Sequence, residues 1–475
     1  MPTSAHVYRR LRIAALGLTF ALPLLGPTAA VAQEGPSEAE QEEARERYDA
    51  AIKLGGELLA DGDAKGALEQ FNYCVAATGG ANAGPLFLRA KAYKELEEFT
   101  FALEDIKEAM LFGQAIPGFD AEARHLRAEV YLDMGQLDRA IKDAEAAVKA
   151  NRNNPIFTLV YGKILTLYGR ITEAEKALDR YITFAESEQE DVELDPKDVA
   201  EAYRYRGQAV AGQTKYARGL KDLDKSIELD PEEHETYFTK ALVLLQEEDY
   251  AAGAEALQLA IDNYTPEDPE LEIPYSQAYL TRASALEELG KELAEEQPDA
   301  ATAAYSEGVA DCEKLLDVLP DNPQLAGTKS ATLFRLGVLE RLLGNLKPAV
   351  EAFTEAIDLN PGLGEGYFRR GVCYYYLDEP RLALGDFKQG AAINFVSPRS
   401  NLWIGRCHLE LEEYRQAVKA FSSSVAVSPN YTTAYVHRGL TYLRLEEYRQ
   451  AISDFDQAIR LAPKDGMNLY YRGFA

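Results

Sequence analysis

Residues 433–463, which read TAYVHRGLTYLRLEEYRQAISDFDQAIRLAP, hold two amphipathic helical patterns joined by a short turn. Apolar or small residues recur at helical spacing in two runs, at Tyr435, Gly439, Tyr442, Ala451, Phe455 and Ala458. Gly439 and Ala451 lack bulk where the two helices must approach closely, and Pro463 prevents the second helix from continuing. This stretch therefore predicts a pair of packed helices.

The same pattern recurs with a period of 34 residues. Pro361, Pro429 and Pro463 are separated by 68 and 34 residues, and Phe395 stands where the intervening proline would fall. The small and aromatic positions return in three earlier repeats, as Gly405, Ala417 and Phe421, as Gly371, Ala383 and Phe387, and as Gly337, Ala349 and Phe353. A 34-residue unit thus runs four times from Ser330 to Pro463, which indicates a repeat protein.

This pattern resembles the tetratricopeptide repeat family, whose unit has Gly or Ala, aromatic, Ala, Phe and Pro landmarks. Extending the register backwards places repeat starts near residues 48, 83, 121, 155, 200, 234, 276, 330, 364, 398 and 432, with a partial repeat from residue 466. The family's common Trp near the start of helix A, the first helix of each repeat, is replaced by Tyr, Leu or Phe. The resemblance implies an all-α fold, a right-handed superhelical solenoid of antiparallel helix pairs over residues 48–475. The partial repeat either caps this stack or begins a repeat that continues beyond Ala475.

Extra residues interrupt the register around residues 186–198, 266–274 and 291–302. The first insertion is predicted to be an acidic surface loop, and the last a lengthened helix pair. The acidic run of the first insertion could bind calcium, but it lacks the glycine and the ligand spacing of an EF-hand loop, which favours a solvated loop.

The first 32 residues have the layout of a secretory signal peptide. Three arginines and no acid precede an uncharged stretch, residues 13–32, that ends in a small-x-small triplet at residues 30–32. This predicts cleavage before Gln33 and a periplasmic or secreted protein without membrane insertion afterwards. An uncleaved anchor is the alternative, since the stretch could just span a bilayer, although Pro23 and Pro27 break its second half. The export route, general or twin-arginine, stays open.

The net charge is large, negative and unevenly distributed. The whole chain carries -28, and loss of three arginines with the signal peptide leaves -31. Residues 33–329 hold -32, beginning with a predicted acidic linker at residues 33–47, whereas residues 330–475 hold +1. Such a surface repels nucleic acid and anionic lipid. The hydrophobic fraction of 47% excludes a largely disordered chain.

The cysteines are predicted to be core residues. Cys373 and Cys407 are 34 residues apart and occupy the same position of successive repeats. Neighbouring helices hold such positions about 8 to 10 Å apart, whereas a disulfide requires Cα atoms within about 7 Å. We therefore expect small buried side chains rather than a bridge.

The residues that carry catalytic or metal chemistry do not form recognisable motifs. The histidines show no spacing suited to zinc, and no nucleophile elbow or phosphate-binding loop occurs. The glycines of PGLGEG, at residues 361–366, resemble a phosphate-cradling loop, but they follow a helix instead of a strand, which favours an inter-repeat turn. The sequence predicts no enzyme, no cofactor and no metal.

Helix A provides the candidate binding face. Numbering each repeat from its start, positions 4, 7, 8 and 11 form the predicted buried stripe, so positions 2, 6, 9 and 13, flanked by 5 and 12, point away from it. In the family this face is the concave groove that receives peptides or partner helices. Ten groove residues are candidates for partner binding: Phe334, Phe368, Val372, Tyr375, Tyr376, Arg399, Trp403, Arg406, Leu440 and Arg444. The same numbering also places Val338, Arg341, Arg369, Leu402 and Val436 there.

Aromatic residues and arginines, the usual hot spots of interfaces, dominate these candidates. They predict a non-catalytic scaffold that binds a peptide or helix of a protein partner, and the arginines favour an acidic one. The Lys and Asn set with which the family clamps a C-terminal carboxylate is absent, so a chaperone-tail receptor is not supported. The alternatives are a glycan-binding accessory subunit that uses Tyr375, Tyr376 and Trp403, and the repeat part of a larger enzyme.

Overall fold

The computed structural model describes residues 37–152, 154–187, 194–265, 275–320, 322–393 and 398–475. Over these residues the chain forms helices and turns and no strand. The predicted signal peptide lies outside the described residues. No helix in the described ranges is both long and apolar enough to cross a membrane.

The chain divides into two compact units, the first ending at Glu247 and the second beginning at Glu248. The described helices of the first unit are α1 (Glu38–Ala60), α2 (Ala64–Ala77), α3 (Ala83–Glu95), α4 (Phe99–Phe112), α5 (Phe119–Asp133), α6 (Leu137–Ala150), α7 (Pro155–Tyr168), α8 (Ile171–Glu186), α9 (Pro196–Ala211), α10 (Tyr216–Leu229) and α11 (His234–Gln246).

The described helices of the second unit are α12 (Tyr250–Asp262), α13 (Ser276–Leu293), α14 (Pro298–Val318), α15 (Ala326–Leu342), α16 (Leu346–Leu359), α17 (Gly364–Tyr376), α18 (Pro380–Ala392), α19 (Pro398–Glu410), α20 (Tyr414–Val427), α21 (Thr432–Arg444), α22 (Tyr448–Leu461) and α23 (Gly466–Phe474). A 3₁₀ turn, Pro323–Leu325, precedes α15. The lengthened pair predicted around residues 291–302 is α13 and α14, with 18 and 21 residues.

Within each unit the helices pack as antiparallel pairs that stack on one another. The two helices of a repeat contact each other, and the second helix also packs against helix A of the following repeat. The all-α solenoid of helix pairs that the family resemblance implies is confirmed within each unit. The first three residues of the PGLGEG stretch form the turn between α16 and α17, as predicted, and Gly364 begins α17.

The acidic segment that precedes the first predicted repeat is helical. Residues 33–47 were expected to form a linker, but α1 begins at Glu38. The Ser37 side chain accepts a hydrogen bond from the Glu40 backbone N–H, and the Glu40 carboxylate accepts one from the Ser37 N–H at 2.7 Å. This reciprocal capping satisfies two exposed donors and starts the helix ten residues earlier than the apolar pattern suggests.

The buried positions of helix A differ from those predicted. Of the predicted positions 4, 7, 8 and 11, position 8 is buried in successive repeats, as at Gly439, and positions 3 and 10, which were not predicted, are buried as well, as at Ala434 and Thr441. Helix A contacts the second helix of its own repeat and that of the preceding repeat. It is therefore buried along two stripes rather than one. Val338 and Leu402, with 1% and 5% exposure, belong to the core and not to the groove.

In each of the last four repeats, a phenylalanine on the second helix fills the space beside helix A. Phe353, Phe387, Phe421 and Phe455 are almost fully buried. Each packs on the position-8 glycine of helix A, and a Cβ atom at Gly439 would lie only 2.9 Å from the Phe455 ring. Larger side chains at this glycine would therefore separate the two helices.

An arginine–aspartate pair recurs inside the repeats. Arg438 Nε and Nη2 donate to the two carboxylate oxygens of Asp454, sixteen residues later, at 2.8 and 2.7 Å. Arg438 Nη1 also donates to Ser422 Oγ of the preceding repeat at 2.9 Å. Where the arginine is absent the aspartate is absent too, as at Ile404 and Ala420. The same two-pronged contact joins Arg89 to Asp105, Arg127 to Asp143, Arg206 to Asp222 and Arg370 to Asp386.

The cysteines are core residues, as predicted. Cys373 packs beside Phe353 and Cys407 beside Phe387, and both thiols are free and fully buried. Burial raises the pKa of Cys373 to about 11 and that of Cys407 to about 12. Both side chains are therefore neutral thiols at physiological pH.

Candidate partner-binding groove

Three aromatic groove candidates meet between the end of α17 and the middle of α19. The ring centroids of Tyr375 and Trp403 are 5.1 Å apart, and those of Tyr376 and Trp403 are 5.8 Å apart, both edge to face. Trp403 also stacks on the core residue Phe387 at 6.0 Å. Tyr376 is 58% exposed, so this cluster joins the core to the surface.

Arg406 completes the cluster. Its guanidinium carbon lies 4.2 Å from the Trp403 ring centroid and 4.6 Å from that of Tyr375. The Tyr375 hydroxyl donates to Glu410 at 3.1 Å, which holds the ring in place. No carboxylate among the described residues forms an ion pair with Arg406. We call Tyr375, Tyr376, Trp403 and Arg406 the aromatic clamp, since two rings position a guanidinium whose charge is not neutralised by a carboxylate.

Four other candidates are partly buried. Phe334 and Phe368 are half-buried and contact Phe353 and Phe387, at 5.7 and 5.5 Å between centroids. Val372 packs in the cluster around Phe387. The remaining half-buried candidate is Leu440. These side chains support the groove floor and present only part of their surface.

The groove arginines of the second unit have few partners. Arg399 and Arg444 are exposed. Among the described residues, neither they nor Arg341 form an ion pair. Arg369 is the exception, because it pairs with Glu365 at 2.7 Å while lying 5.7 Å from the Phe334 centroid.

The groove positions of the first unit hold a network that the sequence reasoning missed. Opposite charges on successive helices A pair across the repeats, Lys163 with Glu201 at 2.8 Å, Lys94 with Asp133 at 3.7 Å and Arg204 with Glu235 at 3.8 Å. Alternation of charge at positions 2, 5, 9, 12 and 13 was the available signal. The first unit therefore neutralises much of its own groove charge, whereas the second does not.

Burial and pairing act in opposite directions on this network. Burial alone would raise the pKa of Glu201, but Lys163 and Arg204 lower it below its ordinary value. Burial alone would lower the pKa of Lys163, but the charge of Glu201 outweighs burial and raises this pKa above its ordinary value. Both members of this pair therefore stay charged at neutral pH.

His437, at position 6 of the last complete repeat, lies beside the clamp. Its ring stacks on Phe421 with 5.7 Å between centroids. Its Nδ1 atom is buried without a hydrogen-bond partner. Burial and the neighbouring charge of Arg406 lower the pKa of His437 to about 4, so the ring is neutral at physiological pH.

A cavity of about 320 Å³ opens upstream of the clamp and adjoins the groove candidate Phe334. Its walls come from α13, α15 and the turn before α17. Leu280, Ser284 and Ala331, which line it, were not among the sequence candidates. In the described ranges, no cluster of three or more His, Cys, Asp or Glu residues is arranged to hold a metal ion.

Several parts of the chain are similar to known families and proteins. Models described as tetratricopeptide repeat match residues 125–190, 204–268, 330–363 and 433–465. Neutrophil cytosol factor 2 from Bos taurus is 37% identical over 60 residues, 13% of this chain and 11% of that protein. The Mus musculus protein is 31% identical over 87 residues, 18% of this chain and 17% of that protein. The match thus spans less than a fifth of these relatives' length.

Two solved structures are similar to parts of this chain. YrrB, described as a TPR protein with an unusual peptide-binding site, is 19% identical and covers 46% of this chain and 99% of its own, with a TM-score of 0.37. MamA is 20% identical and covers 36% of this chain and 96% of its own, with a TM-score of 0.32.

Proposed function

Since this chain is a tetratricopeptide repeat protein, we propose that it is a non-catalytic scaffold that holds a partner in the helix-A groove of residues 330–463. Its repeats support a role in protein interaction. The aromatic clamp is the observation that supports a binding site in this part of the groove. Aromatic residues and arginine are the side chains most often found at binding hot spots. Here they are already packed against one another, so little side-chain entropy is lost on binding.

The proposed ligand is an acidic segment that contains an aromatic residue. Arg341, Arg399, Arg406 and Arg444 supply positive charge without carboxylate partners among the described residues. A carboxylate that approaches Arg406 would form a charge-assisted pair beside exposed ring surface. The acidic N-terminal part of the chain, with -32 over residues 33–329, would repel the same segment.

The packing of the clamp favours a peptide over a glycan. Stacking on a sugar requires an accessible aromatic face. One neighbour of the Trp403 ring is Phe387, which is stacked at 6.0 Å, and another is Arg406 at 4.2 Å from the centroid. Little of the Trp403 face remains for a sugar, whereas ring edges and a guanidinium suit a peptide.

We further propose that the protein is exported to the periplasm or secreted, because residues 1–32 have the layout of a cleaved signal peptide. The expected mature chain begins at Gln33 and interacts with a partner in the same compartment. Intact mass of the exported protein tests this: a mass that includes residues 1–32 contradicts cleavage.

Affinity capture from an envelope extract, followed by calorimetry with the captured partner, tests the groove. Trp403→Ala should weaken binding by about 2 kcal/mol, and Arg406→Ala should cause a loss that shrinks at high salt. Tyr448→Ala and Arg415→Ala are matched controls, because both residues are exposed on helices outside the groove. Unchanged affinity of both groove variants, together with loss of binding on deletion of residues 83–152, would place the site in the first unit.

A further inference from the structure

The cavity beside Phe334 lies on the same face as the aromatic clamp. Leu280 and Ser284 occupy positions 5 and 9 of their repeat, and Ala331 and Phe334 occupy positions 2 and 5 of the next. All four are groove positions. The cavity therefore opens into the helix-A groove between α13 and α15, two repeats before the clamp between α17 and α19.

Two small side chains create this cavity. Position 2 holds Ala331 here but a glutamate in several other repeats, as at Glu201 and Glu365, and position 9 holds Ser284 where other repeats have a long side chain such as Lys163. The volume of about 320 Å³ exceeds what a single buried water needs. Space for a large side chain is thus available at this level of the groove only because these two positions are small.

The lining fixes the kind of group that fits. Leu280, Phe334 and Leu363 provide apolar walls. The Ser284 hydroxyl donates to the Leu280 backbone carbonyl at 2.8 Å and is thereby satisfied. Arg335 lies at the cavity and forms an ion pair with Glu287, which is also held by Lys291 at 2.6 Å. Lys291 also pairs with Glu288 at 2.8 Å, so two cations are balanced by two carboxylates beside an apolar pocket.

We propose that this cavity is a second anchor site, which receives an aromatic side chain of the same acidic segment that the aromatic clamp holds. This inference rests on the proposed function. Packed helices lie about 8 to 10 Å apart, so two repeats correspond to about 20 Å along the groove. An extended chain advances about 3.3 Å per residue. The two aromatic residues of the bound segment are therefore about six residues apart.

Three fluorescein-labelled peptides, each with the same Glu, Ser and Gly background, test the proposal by fluorescence anisotropy. One peptide has two Trp residues six positions apart, one has them two positions apart, and one has a single Trp. The peptide with two Trp residues six positions apart should bind about tenfold tighter than the other two, which corresponds to one additional buried aromatic group. Two Trp residues make the peptide independent of its direction in the groove.

A pair of variants separates the cavity from the clamp. Ser284→Leu fills the cavity. It should reduce the affinity for the peptide with Trp residues six positions apart to that of the single-Trp peptide, and it should leave the affinity for the single-Trp peptide unchanged. Ser306→Leu is the matched control, because Ser306 is exposed on α14 and its hydroxyl likewise donates to a carbonyl four residues earlier. Circular dichroism checks that each variant keeps its helical content.

The outcomes distinguish the two proposals. If Trp403→Ala weakens all three peptides but Ser284→Leu has no effect, or if spacing does not matter, the cavity is not an anchor site while the groove stands. If none of the peptides binds, or if Trp403→Ala changes nothing, the proposed groove itself fails. Loss of the spacing preference in Ser284→Leu, but not in Ser306→Leu, supports the second anchor.

Discussion

The arginine–aspartate pairs inside the repeats behave as units of two residues. Asp454 is 5% exposed, and both of its oxygens accept hydrogen bonds from Arg438. A buried carboxylate without its cation is strongly unfavourable, whereas an apolar replacement of the whole pair costs little. The neighbouring repeat already shows the apolar version, with Ile404 and Ala420 at the same positions.

We therefore expect Arg438→Ala to lower the free energy of unfolding by about 3 to 5 kcal/mol, because it leaves Asp454 buried and unpaired. The double change of Arg438 to Ile and Asp454 to Ala, which copies the neighbouring repeat, should recover most of this loss. Urea denaturation followed by circular dichroism measures both. A double variant as unstable as the single one would show that the ion pair has a role beyond neutralising its own charge.

Protonation of His437 should couple stability to pH. Its folded-state pKa of about 4 lies below the ordinary 6.5, so below pH 6.5 the unfolded chain binds more protons than the folded one. The stability that depends on neutral His437 is complete above pH 6.5 and is lost as the pH falls from there towards 4. His437→Phe keeps the ring stacked on Phe421 but cannot titrate. Its unfolding midpoint should fall less between pH 7 and pH 5 than that of the original protein, and equal decreases would contradict this.

At the level of helices, the contacts between small and large residues could be predicted, and the two-sided packing could not. The pairing of Gly439 with Phe455 follows from apolar spacing alone. Burial at positions 3 and 10 was missed because a single stripe was assumed for a helix that is covered by two neighbours. The acidic composition of residues 33–47 and their lack of apolar spacing predict a linker, whereas Ser37 and Glu40 form a capping signal that starts a helix.

The candidate site shows the same limit. Periodicity placed Tyr375, Tyr376, Trp403 and Arg406 on one face, and the structure brings them into contact. The cavity could not be predicted, since it depends on the combined shape of three helices. The charge pairs of the first unit depend on contacts between repeats. The spacing of apolar residues does not predict such contacts.

Two glycine substitutions in helices test the close approach of paired helices. Gly405→Ala should destabilise the protein, because a Cβ atom there would overlap the Phe421 ring. Gly385→Ala should stabilise it by up to about 1 kcal/mol, since no atom lies within 4 Å of that Cβ position and Ala favours the helix. Thermal denaturation of both variants checks the opposite signs. Two changes of the same sign would mean that helix propensity, not contact, dominates at these positions.

At the scale of the whole molecule, a stack of repeats should tolerate removal of its first members. Each described helix packs mainly against its neighbours in the chain, so the stability is approximately a sum of local terms. Deletion of residues 48–120 should leave the remaining helices folded, with helical circular dichroism reduced in proportion to the helices removed. Retention of Trp403 fluorescence is the control for the second unit. Complete loss of helical signal would contradict the one-dimensional stack.

The buried cysteines provide a set of chemical reporters at known places along the chain. Cys74, Cys312, Cys373 and Cys407 belong to four different repeats, and each is at most 2% exposed. A water-soluble thiol reagent can reach each of them only when its own repeat opens, and their raised pKa values keep background reaction slow. Mass spectrometry of peptides labelled over time would therefore rank the opening rates of these repeats without any engineered probe, and would show directly whether a bound partner slows Cys373 and Cys407 more than Cys74.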